Sequence, residues 1–198
     1  MVVIQRHVPR RQENTRPRMN IRAMLLVEQS KKQCDKIVKY IGDDPKKFAE
    51  LMKNFFEGAY RVTQRAAWPM SECVEKYPEL ITPYYAKLIS NLSKKNLHDA
   101  IPRNTVRLLQ HVDIPKKFHG RIMDVCFRYL QSNETAIAVR VFSMTILENL
   151  SKIYPEIFPE LKLIIEERWS HETAAFHSRA RKILQRGEKR FMKGDHFS

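Results

Sequence analysis

The chain has 198 residues, 43% of them hydrophobic and 10% aromatic, with a formal net charge of +14. That length suits one domain or one short repeat array with its own core, and the composition excludes a disordered chain. Only five glycines occur, Gly42, Gly58, Gly120, Gly187 and Gly194, never closer than seven positions, which excludes the glycine-rich loops that cradle a phosphate.

Residues 1–22 carry six arginines and one glutamate among prolines and small polar residues, so residues 1–20 read as a disordered basic arm. Helical spacing of apolar residues then recurs from Ser30 to Gln185, while strand patterns are scarce. Ser30 caps a helix running to Ile41. Asp44-Pro45 supplies a cap and a first-turn proline for a second helix, ending near Gly58. Val62, Ala66, Met70, Cys73 and Tyr77 form one apolar stripe. Further helices are expected over 82–93, 101–112, 115–131, 135–154, 157–170 and 173–187, leaving 188–198 as a basic flexible tail. Short connections make consecutive helices antiparallel neighbours.

The pattern repeats. Tyr77-Pro78-Glu79-Leu80 returns as Tyr154-Pro155-Glu156-Ile157, 77 residues on, about twice one helix pair. An intermediate copy aligns Ile101, Leu109 and Val112 with Val62, Met70 and Cys73, and with Val139, Leu147 and Leu150. A worn copy starts at Ala175, with Ile183 in the Leu147 position. One helix pair cannot bury its apolar face alone, but stacked pairs share a continuous core.

Val139-Arg140, followed by Met144, Leu147, Leu150 and Tyr154-Pro155-Glu156-Ile157, resembles the second helix of a HEAT-type repeat, which reads Val-Arg-x-x-Ala, then leucines, then a Pro-Glu stretch. Val62 with Ala66 and Tyr77-Pro78-Glu79-Leu80 is a looser match, and the resemblance spans roughly residues 44–187. It implies an all-α, right-handed α-α superhelix of about four antiparallel helix pairs plus an N-terminal helix, within a repeat domain at 21–187. It also implies a ladder in which Arg140 pairs with an acid a few residues earlier, Glu134 being the candidate, and Asp99 with Arg103 is a similar pair.

A more distant resemblance is to bacterial DNA-alkylation-repair HEAT-like proteins, carried by the cadence of Val139 to Trp169 and by Ser178-Arg179-Ala180. It implies DNA held in a concave groove, whose catalytic form sets an aspartate beside a tryptophan. Trp68 is instead followed by Glu72, and Trp169 by Glu172.

No nucleophile elbow or paired metal-ligand motif is present, so no catalytic residue, metal or cofactor is expected, and the protein reads as non-enzymatic. Cys34, Cys73 and Cys126 lie far apart inside apolar stripes, which points to buried thiols in a reducing, cytoplasmic setting. No apolar run is long enough to span a membrane. Taking Ala66, Thr105, Ser143 and Arg179 as equivalent, residues two positions on lie about 200° from the stripe. That concave face would carry Trp68, Arg107, Thr145 and Arg181, flanked by Arg103 and His177. Arginines at repeat spacing suit phosphates or acidic peptides. A protein partner is the first expectation, with nucleic acid the second through the basic ends and concave arginines.

Overall fold

The computed structural model describes residues 20–94 and 99–194. Among them ten α-helices form five antiparallel pairs: α1 (Ile21–Val27) with α2 (Lys31–Ile41), α3 (Pro45–Glu57) with α4 (Tyr60–Lys76), α5 (Tyr85–Asn91) with α6 (Ala100–Leu109), α7 (His119–Gln131) with α8 (Ile137–Ser151), and α9 (Phe158–Arg168) with α10 (Ala174–Gly194). The second helices α2, α4, α6, α8 and α10 stack side by side in sequence order. This is an all-α HEAT-like solenoid. Among the described residues no helix is long and apolar enough to cross a membrane.

The array differs from expectation at both ends. All nine expected helices form, and α1 makes the first of them one member of a pair. Asn20, placed in the basic arm, caps α1 by accepting the Ala23 amide at 3.1 Å; the rest of the arm lies outside the described residues. At the other end α10 runs to Gly194, so residues 188–194 of the expected flexible tail are helical. Gly187 does not end the helix because it is a packing position. A β-carbon there would lie 1.8 Å from Phe158 Cζ.

Local chemistry sets the other boundaries. Ser30 Oγ accepts the Gln33 amide at 3.1 Å. Asp44 accepts the Lys46 and Lys47 amides, and these two bonds hold its carboxyl below the ordinary range. Gly42 follows α2 at φ +56°, a left-handed turn that favours glycine.

The expected stripes are the core. Val62, Ala66, Met70 and Cys73 are buried, as are Val139, Ser143, Leu147 and Leu150. Ala66, Thr105 and Ser143, fully buried, put a small side chain at one level of each pair, where the partner helix comes closest. In the last copy Phe176 and Ala180 are fully buried while Ala175 is exposed. That copy therefore begins one residue later than the sequence alignment placed it, and Ala180, not Arg179, matches Ser143.

Polar ties join α8 to α10. The buried Glu148 receives Arg186 through Nε at 2.6 Å and Nη2 at 2.8 Å, and Arg190 donates to Ser151 Oγ at 3.1 Å. In the corrected register Val141, Thr145 and Glu148, which face α10, correspond to Ser178, Lys182 and Gln185. These three are exposed, so the outer edge of α10 is polar where the inner repeats are packed.

Burial pushes the thiols up, Cys34 to about 11 and Cys73 and Cys126 to about 12. The thiolate is the reactive form. At pH 8 iodoacetamide should therefore leave all three unmodified in the folded protein and modify all three in guanidinium. Mass spectrometry reads the difference, and native alkylation of any one would contradict its burial.

Candidate functional site

The site is assembled where α4 packs beside α6. Trp68 sits two positions beyond the buried Ala66 and is half-buried, packing in part against the core while also lining the outer face. Its indole Nε1–H donates to Glu72 Oε1 at 3.0 Å, one turn on. Lys31 of α2 lies 3.1 Å from the same oxygen and 5.9 Å from the indole centroid. Lys31 first, and the indole N–H second, hold the Glu72 carboxyl below its ordinary range. The carboxylate nearest the indole is thus already paired, with an ammonium that it shares with Asp35 at 3.0 Å.

Arg103 and Arg107 lie one turn apart on α6, about 6 Å along its axis. Both line a cavity of about 410 Å³ with Trp68, Gln64 and Gln29. Arg107 is exposed and Arg103 half-buried. Among the described residues neither guanidinium has a carboxylate within ion-pair distance. The expected Asp99–Arg103 side-chain pair is not formed; the exposed Asp99 instead accepts the Arg103 backbone amide at 3.2 Å. Asp99 is held at the helix start by main-chain geometry, which leaves the Arg103 side chain to the cavity.

The other expected residues fall elsewhere. Thr145 Oγ1 accepts from Arg179 at 2.7 Å and donates to the Val141 carbonyl at 3.2 Å. His177 stacks on Trp169 with centroids 4.4 Å apart and planes 19° apart, its Nε2 2.8 Å from the Trp169 carbonyl oxygen. The Arg181 guanidinium lies 5.7 Å from the same indole. Trp68, Arg103 and Arg107 are therefore brought together, while His177 and Arg181 gather on the last pair. His177 and Arg181 belong to α10, which packs on α8 and lies two second helices beyond α6.

Arg140 is buried and structural, but its acid is not Glu134. Glu134 is exposed, and its amide donates to Ser132 Oγ at 3.2 Å. Arg140 lies 3.1 Å from Glu172, which comes from the following pair and has a wholly buried side chain. Arg168 joins the same carboxylate at 2.8 Å. The two arginines also donate to backbone carbonyls between Gln131 and Thr135, so one carboxylate fastens α8 to the turns before and after it. Sequence reasoning missed Glu172 and Trp169 in these roles, because both act across repeats and neither has a local partner to signal it.

Two larger cavities, of about 500 and 450 Å³, flank His111–Asp113 at the end of α6. Their walls are mainly apolar, with Leu109, Ile146 and Leu150 in one and Val74, Tyr85 and Leu108 in the other. Neither collects the concave-face residues.

A family model described as a HEAT repeat domain matches residues 21–186. No curated protein and no solved structure matches the chain.

Proposed function

The chain belongs to the HEAT repeat family, and from that premise we propose that it is a non-enzymatic binding protein whose row of second helices holds a macromolecular partner. The α4–α6 cavity is the anchor, and the contacting groups of the partner are anionic. One observation carries the reading: Arg103 and Arg107 share a cavity with Trp68 and have no carboxylate partner among the described residues. An arginine that only decorates a solvated helix face gains from pairing with a neighbouring acid. Two left open beside an aromatic ring are available to an outside anion without breaking an internal bond. Family membership supports the class, since HEAT arrays commonly mediate interactions, and it leaves the partner to be identified.

The test compares two residues on opposite sides of α6. Arg107→Ala should change folding stability by no more than about 0.5 kcal/mol and weaken partner binding by about 1.5–3 kcal/mol. Leu109→Ala, at a position 1% exposed, should do the reverse, lowering the melting temperature while capture per folded molecule holds. Thermal melts and quantitative capture from source-cell lysate measure both. Undiminished capture by a stable Arg107→Ala protein would return this face to a plain solvated surface.

A further inference from the structure

Apart from its arginines, the α4–α6 cavity has features that an acidic peptide leaves unused. The indole N–H of Trp68 is committed to Glu72, so what Trp68 brings to the cavity is the part of its ring that neither the core nor Lys31, 5.9 Å from the centroid, covers. Gln29 is exposed at the rim, and its amide supplies one acceptor and two donors. Lys31 bridges Asp35 at 3.0 Å and Glu72 at 3.1 Å, so the Glu72 carboxylate is engaged by an ammonium and by the indole N–H. Two guanidinium forks, a ring surface and a rim amide match the parts of a nucleotide: phosphate, base plane and base edge.

Resting on the reading of this face as the partner surface, we infer that the cavity takes one unstacked nucleotide of a single-stranded nucleic acid. Its phosphodiester lies on Arg103 and Arg107, and its base lies against the Trp68 ring. Arginine presents planar pairs of donors that match phosphate oxygens. Base–aromatic stacking is available to every base and needs the base free of its own stack. The volume agrees: about 410 Å³ lies within the range of small-ligand pockets, room for one nucleotide. The chain's charge suits the same partner. Residues 1–22 and 173–198 each carry a net +5, and the 150 residues between them carry +4, so a polyanion is attracted along the whole chain and selected at the cavity.

The experiment uses the full chain and three probes at one fixed salt concentration: a short labelled oligo(dA) strand, inorganic polyphosphate and oligo-glutamate. Removing both arginines (Arg103→Ala with Arg107→Ala) should weaken oligo(dA) binding by about tenfold or more. Trp68→Leu should weaken oligo(dA) by about tenfold and leave polyphosphate unchanged, and Trp68→Phe should restore the strand. If Trp68→Leu fails to fold, Trp68→Phe decides on its own, because a ring that stacks keeps oligo(dA) binding near the parent's. Equal loss of oligo(dA) and polyphosphate on Trp68→Leu, or loss of oligo(dA) with Trp68→Phe, overturns the stacked base. Oligo-glutamate binding that needs both arginines, with oligo(dA) indifferent to them, overturns the nucleotide and leaves the anionic partner surface standing. If no probe responds to the arginine variants, that surface falls with it.

Discussion

Replacing Glu172 by alanine should cost about 3–5 kcal/mol of folding stability, the range for removing one partner from a buried ion pair. The Glu172 side chain is wholly buried, and its carboxylate lies 3.1 Å from Arg140 Nε and 2.8 Å from Arg168 Nη2. Alanine leaves two guanidinium groups facing a cavity with no counter-charge. The bonds that remain run from the Nη1 groups to the carbonyls of Gln131, Ser132 and Thr135; Arg140 Nε and Nη2 and Arg168 Nε lose their acceptor, and neither charge is neutralised. The informative contrast is Glu134→Ala. Glu134 is the acid that the family pattern nominates, yet it is exposed, and its loss should stay within about 0.5 kcal/mol. Urea unfolding of both variants reads the difference. Comparable losses would mean that Arg140 draws its stability from its own turn, not from the next repeat.

A second large effect is expected at the contact between α9 and α10. Phe158 is 3% exposed, and Phe158→Ala should cost about 3–5 kcal/mol. Gly187→Ala would gain roughly 1 kcal/mol in a free helix, but here it should destabilise by about 1–3 kcal/mol or more, because its new carbon falls 1.8 Å from the Phe158 ring. The two changes should not add. With the ring gone, alanine at 187 fills part of the space, so Phe158→Ala/Gly187→Ala should be more stable than the sum of the singles. A double-mutant cycle in urea tests it, and strict additivity would place Gly187 away from the ring.

What was legible follows from how each feature is encoded. The stripes of α4, α6 and α8 could be read because Val62, Ile101 and Val139 recur in the same burial context, so periodicity and repetition reinforce each other. Trp68, Arg103 and Arg107 could be placed on one surface because Ala66 and Thr105 are true equivalents, 39 residues apart and both fully buried. The last copy sits 37 residues beyond Ser143, at Ala180. Ala174 and Ala175 before Phe176 give no apolar contrast to fix that register, so the repeat pattern sets His177 and Arg181 one position early, about 100° around the helix. Helix α1 has seven residues, about two turns, too few for a period to stand out. The acid of Arg140 lies 32 residues away, and a pairing across repeats leaves no spacing rule in the chain.

The polar edge of α10 bears on how the array ends. A solenoid is a stack without closure, and the same head-to-tail contact that joins neighbouring repeats could in principle join whole molecules into a fibre. Growth would need the far edge of α10 to offer what α8 offers it, and there Val141 and Thr145 give way to Ser178 and Lys182. A second molecule docking at that edge would have to strip water from Lys182 and Gln185, and Gln185 stands where Glu148 of α8 receives Arg186. The polar residues on this edge of α10 therefore disfavour stacking of whole molecules head to tail.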